Sequence, residues 1–275
     1  MEHTSKARVF PKKAAEWMVR SAALLIVIIV LAGPFAAPHN PLHANLSQRL
    51  APPSRTYLLG NDGLGRCILS RILSGAKTSV GLGIIIVSIS CFTGVAVGLV
   101  SGYAGGLLDE MMMRITDVFF SFPELVAAMA VVGIMGSGTM HLVSAVCMVS
   151  WMRYARMVRG ITLSVKENNY IKSAKLSGVS RSGILVRHIL PASIPSVIAL
   201  AAVGLGKAVL AVSALGFLGF GVQPPTPEWG MMLMEGKNYL ISAPHLSVAP
   251  GLAVMITVLT FNLLGNQIPV GNQRV

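Results

Sequence analysis

The chain has 275 residues, of which 53% are hydrophobic and only 12% charged, and its net charge is +12. A soluble domain carries about 25% charged residues, so this composition, with a mean hydropathy of +0.69, excludes a water-solvated globule. The Lys and Arg residues sit in blocks between long apolar runs, which is the distribution of membrane topology and not of a nucleic-acid surface; no RNA- or DNA-binding signature accompanies them.

Lys6, Arg8, Lys12, Lys13 and Arg20 precede a first apolar run over about 21–37, with Trp17 as an interfacial anchor. A cleavable signal has an apolar core of about 7–15 residues. This run continues through Gly33 to Ala37 with no convincing cleavage site, so it is expected to be an uncleaved span. A polar, Pro-rich stretch over 38–77 leads to a second span over 79–101 and a third over 114–135. Gly136-Ser137-Gly138 makes a tight turn into a fourth span, 139–160. A charged segment over 161–188 follows, then a fifth span over 189–220, a polar loop over 222–245, a sixth span over 246–265 and a short tail, 266–275. Each run suits a helix of about 20 residues crossing about 30 Å of hydrocarbon, and the alternation of a β-barrel is not seen. The expected fold is therefore an all-α integral membrane bundle of six transmembrane helices.

With the N-terminus inside, fifteen basic residues fall on inner segments and six on outer ones (Arg49, Arg55, Arg66, Arg71, Lys77 and Lys237). The bias places both termini in the cytoplasm, although five cations in the first outer loop work against it.

Several residues invite sharper readings. Gly94, Gly98 and Gly102 form a small-xxx-small stripe suited to close helix packing. Lys207 lies inside the fifth span, where an ammonium costs about 2.5–3.5 kcal/mol, so it should face the bundle interior or a wet path. It is either a pathway residue attracting an anionic chelate or a peptide carboxylate, or a structural partner of Asp117 or Glu124. Glu124 is deeper than Asp117 and is the second candidate pathway residue; Asp117 is close enough to the inner interface to pair with Arg114, and Pro123 should kink the third span. Arg153, Arg156 and Arg159 recur every three residues, as headgroup anchors would. Cys67, Cys91 and Cys147 are widely spaced, His141, His188 and His245 are isolated, and the fifteen Met suit packing better than metal, so no metal site or cofactor is expected. Gly204-Leu205-Gly206-Lys207 lacks the spacing of a phosphate-binding loop.

The most informative stretch is 164–190. Residues 164–177 are expected to make a short helix closed by Gly178, with a turn at Ser180–Gly183, a second short helix over 184–190, and Pro191 opening the fifth span. The result is a two-helix hook through which a partner protein could push on the fourth and fifth spans. Ser173-Ala174, Gly178 and His188-Ile189-Leu190-Pro191 resemble the signature loop of ABC importer permeases, an Ala–Ala pair followed by Gly and then His-x-x-Pro. Lys172 stands where the family has Glu, and Ser173 replaces its first Ala. Leu59-Gly60-Asn61-Asp62-Gly63-Leu64-Gly65-Arg66, with Ser70-Arg71, resembles an external motif of the dipeptide, oligopeptide and nickel permeases, with Asn61 for Thr and Cys67 for Asp. Leu215–Gly221 and Pro224–Gly230 resemble the end of the fifth span in the same family; the end of the sixth span departs from it, with Asn266 where Asp is usual.

The resemblance spans about 20–265 and implies the type I ABC importer permease fold with cytoplasmic coupling helices. It implies a chain with no enzymatic activity: the second permease subunit of a binding-protein-dependent importer in a bacterial inner membrane, forming half of a pathway for nickel (chelate) or di/oligopeptides. The variant at Tyr170-Ile171-Lys172 and Lys207 lean slightly toward the nickel members. The implied partners are a homologous permease, two ATP-binding subunits and an extracytoplasmic binding protein. Tyr170, Ser173, Ala174, Gly178, Arg187, His188 and Pro191 would carry the coupling to ATPase. The rival from another class, an ion-gradient-driven secondary transporter, predicts repeats between halves and an intramembrane carboxylate relay. No repeat is evident, and the hook would be unexplained.

Overall fold

In the computed structural model residues 12–269 are described, with side chains from Glu16 onward. Lys6, Arg8 and Arg274, and the side chains of Lys12 and Lys13, all counted above as inner cations, lie outside that range, as does most of the tail. The described residues form ten α-helices and no strand: α1 (Lys12–Ala36), α2 (Ile68–Ala104), α3 (Gly106–Phe120), α4 (Glu124–Met135), α5 (Thr139–Lys166), α6 (Asn169–Leu176), α7 (Arg181–Ile184), α8 (Leu190–Phe217), α9 (Trp229–Gly236) and α10 (His245–Gln267).

Among the described residues, four segments are long and apolar enough to cross a membrane: α1, α2, the continuous stretch Arg181–Phe217, and α10. The pair α3 and α4 makes a fifth if counted as one bent span. α5, the remaining expected span, has the length, at 28 residues, but carries three arginines. It can do so because it is the inner helix of the bundle, packed on α2, α4 and α8, and answers its charges to protein instead of lipid.

Several elements differ from the sequence expectation. α5 runs on to Lys166, past the expected end at 160, so the first short helix of the hook is only Asn169–Leu176 where one helix was expected over 164–177. α2 starts eleven residues before position 79, so Arg71 and Lys77 are helical residues. The third span is broken outright where a kink was expected. Pro123 withholds its N–H and drives Phe122 out of helical geometry, and α3 and α4 meet at 91° across Ser121–Pro123. The second short helix of the hook is likewise not separate. α7 runs through a π-helical turn, Leu185–Ile189, directly into α8. The wide turn sits just ahead of Pro191 and Pro195, which remove two amides from the ladder.

Three buried clusters are strung along α2. One joins Ile68, Ala76 and Val80 to Trp229, Met232 and Leu246. The middle one joins Leu82 and Ile86 to Val146 of α5 and Val212 of α8. The last joins Leu99 to Val158, Ile171, Ile184 and Ile189. The glycine stripe is the seam between α2 and α5: a Cβ on Gly94, Gly98 or Gly102 would lie 2.4 Å from the Trp151 carbonyl oxygen, 2.5 Å from that of Ala155 and 2.8 Å from Thr162 Cβ, respectively.

Candidate functional site

The hook is seated by its apolar side. Ile171 of α6, Ile184 of α7 and Ile189 are fully buried against the far end of α2 and the last turns of α5. Lys166 reinforces the seat by donating from Nζ to the Gly102 carbonyl at 2.9 Å. Facing the other way, Leu176 is 90% exposed, and Tyr170 and Val186 are exposed with it. These large apolar side chains stand bare on an otherwise polar hook.

The motif residues divide between these two roles. Gly178 takes a left-handed backbone, φ +80°. Its amide donates to the Lys175 carbonyl at 3.1 Å, and that of Val179 donates to Ala174 at 3.1 Å. The two bonds together form a Schellman closure of α6, so Ala174 and Gly178 shape the hook. Tyr170 and His188 bring their rings to 6.1 Å across it. Ser173, Arg187 and Pro191 are exposed. A left-handed alanine costs about 1–2 kcal/mol, so Gly178→Ala is expected to speed hydrogen exchange of the Val179 amide about tenfold or more. Unchanged protection at Val179 would mean that some other contact closes α6.

Glu124 and Lys207, candidate pathway residues from different spans, line one cavity of about 300 Å³ between α4, α5 and α8, with Leu125, Ala128, Val146 and Leu210 as apolar walls. They are not paired. Glu124 accepts from Ser150 Oγ at 2.9 Å and forms an ion pair with Arg153, both on Oε1. Asp117 pairs with Arg156, not with Arg114, which instead holds Glu110 at 2.7 Å. Lys207 is exposed to the cavity side of the chain and makes no ion pair among the described residues.

The arginines at 153, 156 and 159 correct the sequence reading. They are not headgroup anchors: they pair in turn with Glu124, Asp117 and Asp109. The last pair is bidentate, at 2.6 Å and 2.6 Å, and Arg156 also lies 4.2 Å over the Phe120 ring. The three pairs fasten the broken α3–α4 segment to α5. The partners are separated by 29 to 50 residues, beyond the reach of neighbour rules along a single helix.

At the opposite end of α2, the Leu59–Arg66 stretch folds into a charged clasp. Arg66 Nε lies 2.7 Å from Asp62 Oδ2, and its Nη2 lies 2.9 Å from Glu235 Oε2. Arg71 reaches the same two acids at 3.5 Å and 3.0 Å. Two of the outer cations that opposed the positive-inside bias are thus neutralised within the fold. Glu235 on α9 was not legible as their partner. Beside it Glu228, fully buried, caps α9 by accepting from the Gly230 and Met231 amides at 2.8 Å each and from Ser79 Oγ at 2.9 Å. Burial pushes its carboxyl above the usual glutamate range even against these donors.

A helical membrane bundle with a firmly seated, outward-facing hook at one end and a charged cavity between its helices is a transport component. The chain belongs to the family described as binding-protein-dependent transport system inner membrane component, which matches residues 94–268, and is an ABC importer permease subunit of a multi-pass kind. It is 42% identical over 264 residues to the glutathione transport system permease protein GsiD of Pectobacterium atrosepticum, covering 94% of this chain and 88% of that protein. It is 41% identical over 256 residues to the proteins of the same name from Shigella boydii and Shigella sonnei, covering 90% of this chain and 84% of each. These relatives are named as transport permeases, a class without enzymatic activity of its own.

Proposed function

We propose that this chain is the half-pore of an ATP-driven importer of small peptide-like solutes, with the hook over 164–190 in the cytosol, docked on an ATP-hydrolysing subunit. A second, homologous permease completes the pathway, and a binding protein delivers solute to the face that carries the Asp62–Glu235 clasp. Both termini are cytosolic. The observation that carries the reading is the two-sidedness of the hook: Ile171, Ile184 and Ile189 lock it into the bundle while Tyr170, Leu176 and Val186 stand bare. A partner's motion is therefore passed on to α2, α5 and α8 instead of being absorbed by a loose loop. The test is cross-linking from a cysteine placed at Leu176 in the assembled complex. It should capture the ATP-binding subunit; co-purification without any such subunit would favour an ion-driven carrier.

Between a peptide and a nickel chelate, the peptide is favoured by relatives named for glutathione; the unpaired Lys207 would serve either anion. Lys207 supplies a counter-charge for a solute carboxylate midway across the membrane, while Arg153 holds Glu124 aside. Lys207→Met is expected to cut labelled-glutathione uptake by roughly tenfold, the loss of about one charge-assisted hydrogen bond, with expression unchanged. Full uptake by that variant would remove Lys207 from the pathway, and uptake of labelled nickel in place of the peptide would reverse the substrate assignment.

A further inference from the structure

We propose that a groove between the end of α2 and the hook binds the headgroup of an anionic phospholipid. The groove, of about 580 Å³, has an apolar floor that includes Val100, Val179 and Ile184, and two cations, Lys175 and Arg181, at its edge. Of the other cations at this end, Arg159 holds Asp109, Arg114 holds Glu110, Lys172 lies 3.5 Å from Glu167 and Lys166 is bound to the Gly102 carbonyl; Arg187 is exposed without an ion pair among the described residues and does not line the groove. Lys175 and Arg181 have no carboxylate partner among the described residues, so this groove keeps two positive charges uncompensated. Lys175 Nζ sits 5.3 Å over the ring of Tyr103, which also lines the groove.

The occupant follows from what adjoins the groove. Phe92, Ala96 and Val100 are exposed at intervals of four on α2, and Tyr103 continues that face. An exposed apolar stripe on a membrane-spanning helix is the path of an acyl chain, and it leads directly to the two cations. A phosphate at Lys175 and Arg181 with its chain laid along Val100 and Phe92 matches charge to charge and hydrocarbon to hydrocarbon, which is how basic pockets at helix ends take anionic lipid.

The test is native mass spectrometry of the complete transporter complex, titrated with phosphatidylglycerol, with phosphatidylcholine and with inorganic phosphate. The complex should retain phosphatidylglycerol in preference to phosphatidylcholine. The Lys175→Gln/Arg181→Gln double variant should retain it about tenfold less well. Arg114→Gln, which removes a charge from the neighbouring α3, should retain it normally. Both target side chains are exposed, so the variants keep the fold. Three results would each overturn the proposal: equal retention by the double variant, displacement of the lipid by inorganic phosphate, or binding seen for the isolated chain that vanishes when the other subunits are present. The last would make the groove a protein interface.

Discussion

Gly98→Ala is expected to unseat α2 from α5 and to lower the unfolding midpoint of the purified protein sharply, with Gly98→Leu giving no recoverable folded protein. Between helices in lipid there is no water to expel, so association rests on close van der Waals contact. At Gly98 a single methyl would stand 2.5 Å from the Ala155 carbonyl oxygen, 2.9 Å from Val158 Cβ and 3.0 Å from the Arg159 amide nitrogen. Two of the three are backbone atoms of a helix and cannot swing aside, so the helices must separate along the whole seam. Overpacking of a tight core costs about 1–3 kcal/mol, and here Gly94 and Gly102 lose their contacts as well. The control is on the same helix: Gly81 has nothing within 4 Å of its added Cβ, and Gly81→Ala should be neutral or mildly stabilising. If both alanine variants melted together with the parent, the seam would not be what holds α2 to α5.

Glu235→Ala is the second large effect expected. It leaves Arg66 and Arg71, whose side chains are 5% and 1% exposed, sharing Asp62 alone. Breaking a buried ion pair by removing one partner costs about 3–5 kcal/mol, because the surviving charge is stranded. Glu235 is itself 27% exposed, so the cost should lie near the lower end, about 3 kcal/mol. The expected result is a large fall in unfolding midpoint together with new reactivity of Cys67, which is buried just beyond the clasp, toward a thiol reagent. Glu235→Gln, which keeps a hydrogen-bond acceptor, should fall between the two. A Cys67 that stayed protected in Glu235→Ala would show that the loop is held by its backbone bonds alone.

What could be read from the sequence was what depends on neighbours along the chain. The apolar runs placed the spans, the spacing of Gly94, Gly98 and Gly102 named a packing face, and the order of residues from Tyr170 to Pro191 located the hook. What could not be read depends on which helices come to lie side by side. Arg153, Arg156 and Arg159 have no acid at helical spacing, so lipid headgroups were the natural partners to assign; only the return of α3 and α4 beside α5 supplies Asp109, Asp117 and Glu124. Glu235 is in the same position, 164 residues from Arg71. Pro123 announced a kink but not its size, a turn of 91° that lays α3 and α4 where Asp117 and Glu124 meet the arginines of α5. For the pathway, the sequence offered Lys207 and Glu124 as separate suspects, with an ion pair between them as the bland alternative. The common cavity, and the prior claim of Arg153 on Glu124, emerge only from the packing.

The length of α2 has a mechanical corollary. Its 37 residues make a rod of about 55 Å, longer than the roughly 40–45 Å of a whole bilayer with its headgroups. The clasp with Glu235 grips one tip and the hook is seated against the other, so a single continuous helix joins the two ends of the bundle. Each degree of tilt about the clasped tip carries the far one about 1 Å sideways. A rocking of a few degrees would shift whatever is fastened at the hook by the width of a side chain.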